Sequence, residues 1–293
     1  MIPHVKTNAL AVISLVLAGL GYALYGPLTR LVGTDFGASS QTLVRAIFRL
    51  VIVFSIMLFQ SQKIELNIKS EDRRTIWLLG FLAAICTLTY IPAITHLPMG
   101  TTMFIFYAFG TMASYLVGHF AYKEKLDRSK IIAFICAIFG VGVMFMDKLG
   151  WGKITYLLIA VISGVSYGLY SSLSKKVSKK YSLTLIMLAV LVAEFTIYLP
   201  TWLYTQDAMS TNLWPWIANF IYAIDVVGVM YFVFYGFRHL EAQIASLLLL
   251  SELVFILLIG AIFYSEIPSM WQLFGGGLII LGLTIPNLKF IKN

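Results

Sequence analysis

The sequence contains few charged residues. Of its 293 residues only 12% are Asp, Glu, Lys or Arg, whereas 60% are hydrophobic and the mean hydropathy is +0.88. This composition excludes an ordinary soluble domain and indicates a membrane protein with many spans. The net charge of +8 would suit nucleic acid, but the basic residues lie in the short segments between hydrophobic runs. We therefore expect a lipid bilayer as a partner, and no nucleic acid.

Residues that build metal and catalytic centres are also scarce. The two cysteines, Cys86 and Cys136, both lie within hydrophobic runs, which argues against a disulfide framework. The four histidines lack the spacing of metal ligands, and no Ser/His/Asp or Cys/His arrangement is visible. We therefore expect no metal site, no cofactor and no enzymatic activity.

The hydrophobic runs are long enough to cross a bilayer, which takes about 20 residues of helix. We predict ten spans, at 8–31, 40–60, 74–95, 98–121, 130–147, 153–173, 182–204, 213–236, 241–264 and 269–289. The first run lacks a cleavage site, so we expect it to be retained.

Lys and Arg predict the orientation of these spans. With the N-terminus inside, sixteen of these 21 residues fall on the inner side, three on the outer side and two within span 2. This bias places both termini in the cytoplasm, on the inner face of the cytoplasmic membrane.

The chain repeats itself. Residues 16–28 recur as residues 161–173, so that Gly19 corresponds to Gly164 and Tyr22 to Tyr167, each 145 positions later. We divide the chain into repeats at 1–148 and 149–293. Because each repeat has five spans, the second must enter the membrane from the opposite side. The predicted fold is thus an all-α integral membrane protein, with ten transmembrane helices in two inverted five-helix repeats. A monomer is sufficient for a complete pathway.

These features together resemble the ten-span, EamA-like branch of the drug/metabolite transporter superfamily. The resemblance rests on the repeated Tyr-x-Leu-Tyr segment, on Arg49 in span 2, and on Glu124 and Glu266 at the ends of spans 4 and 9. The family's glycine before each glutamate is Lys123 or Ser265 here. The resemblance implies alternating-access transport of a small organic solute, with spans 1, 3, 4, 6, 8 and 9 around a central cavity.

Two carboxylates lie close to the middle of spans that this resemblance places around the cavity. They are Asp225 in span 8 and Glu252 in span 9. Charges inside a bilayer are costly and commonly functional. Because desolvation favours protonation of a carboxylate and a nearby cation opposes it, such a group can exchange a proton for a cationic substrate. We expect Asp225 and Glu252 to bind substrate and to couple its movement to protons.

Two further charges, Arg49 in span 2 and Glu194 in span 7, occupy corresponding positions in the two repeats. We expect a structural role for both, although the sequence does not say which partner each one finds. Arg45 lies nearer the outer end of span 2, from where it can extend to the interface.

Tyrosines are the other candidates for contact with substrate. Tyr rings suit an organic cation through cation–π contacts, or an aromatic solute through stacking. The predicted substrate-binding residues, apart from the two carboxylates, are Tyr22, Tyr25, Tyr90, Tyr107, Tyr167, Tyr170 and Tyr222.

Three functions remain open at this point. The first is secondary transport of a cationic or zwitterionic metabolite, such as an amino acid or amine, with proton coupling. The second is transport of a neutral aromatic or nucleoside-like compound held by the tyrosines. The third is a non-transporting membrane subunit or a lipid translocator.

Overall fold

The computed structural model describes residues 3–32, 35–59, 68–97, 99–146, 154–265 and 268–291. Within these residues the chain forms eleven α-helices and no strand. They are α1 (Pro3–Val32), α2 (Ala38–Phe59), α3 (Ser70–His96), α4 (Met99–Tyr122), α5 (Arg128–Met144), α6 (Ile154–Ser178), α7 (Leu183–Thr205), α8 (Leu213–His239), α9 (Ala242–Leu249), α10 (Ser251–Tyr264) and α11 (Met270–Ile291).

The helices follow the predicted spans. Eight segments are long and apolar enough to cross a membrane, and α5 and α11 add a 17-residue helix and a shorter apolar stretch at Met270–Gly282. One of the eight is Ala242–Phe263, the predicted ninth span, within which α9 and α10 meet at Leu250. Leu250 keeps right-handed helical φ and ψ values and donates its N–H to the Leu247 carbonyl oxygen, so the helix tightens there without ending.

Large apolar side chains cover the outside of the helices. Phe59 is 87% exposed, Phe274 is 62% exposed and Phe139 is 64% exposed. In water, apolar faces of this extent would cause aggregation, whereas hydrocarbon solvates them. The protein is therefore a multi-pass membrane protein.

Several pairs of helices have counterparts when the two halves of the chain are exchanged. α1 packs along α8 as α6 packs along α3, and α1 contacts α10 as α6 contacts α4. α2 packs against its own counterpart α7, and α5 packs against its counterpart α11.

Individual contacts repeat in the same way. A Cβ placed at Gly140 would lie 2.7 Å from the carbonyl oxygen of Gly275, and one placed at Gly282 would lie 2.9 Å from that of Ala133. Gly282 and Gly275 follow Gly140 and Ala133 by the same 142 residues. The α5–α11 contact thus has two equivalent halves.

Arg49 and Glu194 pair with each other. Arg49 Nη2 lies 2.9 Å from a carboxylate oxygen of Glu194, and the two side chains are 9% and 4% exposed. Arg49 and Glu194 occupy corresponding positions in the two halves of the chain, so this ion pair joins α2 to its counterpart α7. The sequence left the partners open, and the structure answers that question.

Polar contacts join the two halves at the end of the bundle that carries residues 68–69, 123–127, 179–182 and 240–241, which we call the basic end. The Glu124 carboxylate accepts hydrogen bonds from Lys175 Nζ at 2.6 Å and from the backbone N–H of Ala242 at 2.8 Å. It therefore caps α9. Its predicted counterpart, Glu266, lies outside the described residues.

The opposite end is joined by Asp207. The carboxylate of Asp207 accepts hydrogen bonds from the backbone N–H and the hydroxyl of Ser39, at 2.8 and 2.7 Å. These bonds lower the pKa of Asp207. Asp207, from the α7–α8 connection, thus serves as a cap for α2 in the other half of the chain.

The family's glycine position has a physical explanation here. Lys123 and Ser265 have φ values of +54° and +53°, in the left-handed region that glycine adopts without strain. Both residues are exposed, so their side chains contribute little packing.

We expect Lys123→Gly and Ser265→Gly each to stabilise the protein, by about 1 kcal/mol, because glycine removes the left-handed strain. The melting temperature in detergent measures this effect. Lys125→Gly, at an exposed position without positive φ, is the control and should not raise it. Equal melting temperatures for Lys123→Gly, Ser265→Gly and the unchanged protein would contradict the explanation.

We expect Glu194→Ala to destabilise the protein by roughly 3–5 kcal/mol, because it leaves Arg49 charged and buried without a partner. Replacing both residues by Leu should recover most of this loss. The measurement is thermal unfolding in detergent, and Glu71→Ala, at a 71% exposed side chain, is the control. If Glu194→Ala melted together with Glu71→Ala, the pair would have no structural role.

Candidate functional site

Aromatic rings form a continuous series through the middle of the bundle, which we call the aromatic ladder. Each ring centroid lies 5.0 to 5.9 Å from the next. In order, the ladder consists of Tyr90, Phe106, Tyr167, Tyr22, Tyr25 and Tyr222. Five of the seven predicted tyrosines are therefore brought together.

Helix geometry and close helix approach explain the ladder. Tyr22 and Tyr25 lie three residues apart, so they share one face of α1. Gly164 lets α6 approach the backbone of α4, since a Cβ there would lie 2.5 Å from the carbonyl oxygen of Phe106. The contact between Tyr22 and its counterpart Tyr167, at 5.9 Å, places the centre of the ladder where the two halves meet.

The remaining two tyrosines have different surroundings. Tyr107 is 3% exposed, its ring lies 5.1 Å from Phe106, and its hydroxyl lies within hydrogen-bonding reach of Glu252. Tyr107 thus links the ladder to that carboxylate. Tyr170 lies against Phe234, at 5.8 Å, and belongs to the hydrophobic core beside the ladder.

Glu252 lies in the ninth span, two residues after the tightened turn at Leu250. It is in the first turn of α10 and is 8% exposed. Ser251, beside it, is buried with a hydroxyl that has no hydrogen-bond partner in the described residues.

Asp225 lies three residues after Tyr222 on α8. A Cβ at Gly21 would lie 3.2 Å from Asp225 Oδ1, so α1 passes directly over this carboxylate. The other oxygen, Oδ2, is buried without a hydrogen-bond partner among the described residues.

Arg45 closes the other side of the ladder and differs from the sequence-based interpretation. Its guanidinium lies 3.6 Å from the centre of the Tyr222 ring, and it donates hydrogen bonds to Gln41 at 2.7 Å and to Asn219 at 3.1 Å. The side chain therefore points inward rather than extending to the interface. Among the described residues no carboxylate lies within 4 Å of it, in contrast to Arg49.

Two grooves lie elsewhere. A groove of about 600 Å³ is lined by apolar residues of α2 and α8, among them Phe59 and Phe220, and one of about 220 Å³ lies between α2, α7 and α8. Neither contains a ladder residue. No group of three or more metal-ligating side chains occurs in the described residues.

Three features of this site were not predicted from the sequence: Phe106, the stacking of Arg45 and the tightened turn at Leu250. Phe106 adjoins Tyr107 in the sequence, which was a usable signal. Arg45 lies four residues from both Gln41 and Arg49, so the three residues share one face of α2. Nothing in the run 241–264, which has neither proline nor an interior glycine near Leu250, indicates the tightened turn.

A protein-family model and a solved structure both match most of the chain. The model of the EamA-like transporter family matches residues 9–146 and again residues 154–288. A solved crystal structure has the same fold, with a TM-score of 0.80 at 14% identity, over 96% of this chain and 98% of the other.

Sequence relatives are described as uncharacterized transporters. YwfM of Bacillus subtilis (strain 168) is 27% identical over 84% of each chain. Two proteins of Archaeoglobus fulgidus are 25% and 26% identical, and the matched segments span 58% and 59% of their lengths. Since the family model covers both halves of the chain, this protein belongs to the EamA-like transporter family.

Proposed function

We propose that this protein is a secondary transporter that moves a small, positively charged or zwitterionic organic solute across the cytoplasmic membrane by alternating access. The ten spans form two inverted five-helix repeats, 1–148 and 149–293, with both termini in the cytoplasm. The aromatic ladder with Asp225 and Glu252 is the solute site.

The exchangeable packing supports the inverted repeat. α1 with α8 mirrors α6 with α3, and corresponding residues such as Tyr22 and Tyr167 contact each other directly. Contacts between corresponding residues are what a two-fold axis between the halves would produce. With five spans in each half and Lys and Arg on one side, that axis lies in the plane of the membrane.

The observation that carries the proposed site is the state of its two carboxylates. Asp225 and Glu252 lie in membrane-spanning helices beside the ladder, and no cationic side chain among the described residues lies within 4 Å of either. Charged side chains that lie inside the bilayer without a partner in the protein commonly have a function. A cationic group of the solute, flanked by Tyr rings, supplies the missing charge.

Proton coupling follows from the same arrangement. A desolvated carboxylate is stable either protonated or beside a cation, and not as a free anion. Glu252 and Asp225 therefore bind the solute's positive charge in one state and a proton in the other. The change from α-helical to tighter i→i−3 hydrogen bonding at Leu250 is a point at which the ninth span can bend.

The ladder itself favours a second candidate, a neutral aromatic or nucleoside-like solute held by stacking. In that case Asp225 and Glu252 remain protonated and structural. Transport would then not respond to a proton gradient.

We expect Glu252→Gln to abolish the pH dependence of solute transport, because the amide cannot exchange a proton for a cation. Asp225→Asn should weaken solute binding. A thermal-shift screen of amines, amino acids, quaternary ammonium compounds, nucleosides and vitamins at two pH values identifies the ligand, since ligands that bind the folded state raise the melting temperature. Flux into proteoliposomes with an imposed pH gradient then tests each variant.

Glu71→Gln, at an exposed carboxylate on α3, is the matched control and should transport normally. Proton-driven flux that persists in Glu252→Gln would remove Glu252 from the mechanism. A neutral aromatic ligand with pH-independent binding would establish the second candidate instead.

A further inference from the structure

Some charged side chains inside the bundle have an opposite charge at the corresponding position of the other half, and others do not. Arg49 corresponds to Glu194, and the two pair with each other. Arg45, one helical turn away, corresponds to Val190, which carries no charge. Arg45 therefore has no opposite charge supplied by symmetry.

Arg45 is nevertheless held at the ladder. Its guanidinium carbon lies over the Tyr222 ring, 3.6 Å from the centroid, and the neutral side chains of Gln41 and Asn219 accept hydrogen bonds from it. Asn219 is fully buried and also donates a hydrogen bond to the Gln41 carbonyl oxygen at 3.2 Å. Since Gln41 and Asn219 carry no charge, the positive charge of Arg45 remains uncompensated inside the membrane.

The nearest charged side chain repels it. Arg49 is four residues away on the same helix face, and Glu194 already neutralises Arg49. Asp225 lies on α8 one turn beyond Tyr222, more than 4 Å from any cationic side chain of the described residues. Tyr222 thus has an unpaired cation over its ring, and an unpaired carboxylate follows it by one helical turn on α8.

We propose that Arg45 binds the anionic group of the solute, a carboxylate, and that the solute is therefore a zwitterion rather than a simple amine. The planar guanidinium matches a carboxylate in two parallel hydrogen bonds. The solute's ammonium group lies toward Asp225 and Glu252, and its carboxylate lies toward Arg45. This assignment rests on the proposed function of the carboxylates and adds the second recognition element of the same site.

The test compares ligands that differ only in the carboxylate. The probes are the common amino acids, each paired with the amine that its decarboxylation gives, such as phenylalanine with phenethylamine. Binding to the full-length protein in detergent is measured by calorimetry. We expect at least one amino acid to bind about tenfold to a hundredfold more tightly than its amine, the range expected for a charged hydrogen-bonded contact.

Three variants assign that preference to a residue. Arg45→Gln should abolish the preference while leaving the affinity for the amine within a few-fold, and Arg45→Lys should retain part of it. Arg74→Gln, at an exposed arginine of α3, is the control and should keep the full preference. If Arg45 had a purely structural role, Arg45→Gln would weaken the binding of the amino acid and of its amine by the same factor. The ratio of the two affinities would then stay unchanged.

The outcomes distinguish this inference from the proposed function. If amines bound as tightly as amino acids to the unchanged protein, Arg45 would not recognise a carboxylate. The proposed cation site at Asp225 and Glu252 would still be supported. The same conclusion follows if Arg45→Gln kept the preference. If neither amines nor amino acids bound, both the cation site and its zwitterionic extension would be overturned. The comparison in the unchanged protein remains decisive even if Arg45→Gln does not fold.

Discussion

The cost of placing a charge in hydrocarbon is the constraint on which this structure depends. Insertion scales put it on the order of 2.5–3.5 kcal/mol for each charge, so an intramembrane charge persists only with compensation or a function. Arg49 and Glu194 compensate each other where the two halves meet. Arg45, Asp225 and Glu252 have no such partner among the described residues, and all three lie beside the same series of aromatic rings.

The proposed inverted repeat would let one chain build both the scaffold and the site. Corresponding residues that are complementary or small, as with Arg49 and Glu194 or with Gly140 and Gly282, contact the other half of the chain. Arg45 corresponds to Val190, so the positive charge beside the ladder occurs in one half alone. Under this proposal the scaffold follows the symmetry of the repeats, and the candidate chemistry follows the departures from it.

Much of the fold was predictable from the sequence because hydrophobic length determines membrane spans directly. The clustering of Tyr22, Tyr25 and Tyr167 also followed from the repeat, since corresponding residues near an axis contact each other. The inward position of Arg45 was harder, because a long side chain can reach either the interface or the interior, and only its contacts with Tyr222 and Asn219 decide between them. The tightened turn at Leu250 has no local sequence signal, and the residues that follow it pack against α1 at Gly19.

The most direct test of this account is an experimental structure of the protein with its solute bound, determined by electron cryo-microscopy in lipid nanodiscs. We expect the solute at the aromatic ladder, in contact with Tyr22 or Tyr167 and with a positive group within hydrogen-bonding distance of Asp225 or Glu252. Solute found only in the apolar groove between α2 and α8, with the ladder rings still packed on one another, would contradict it.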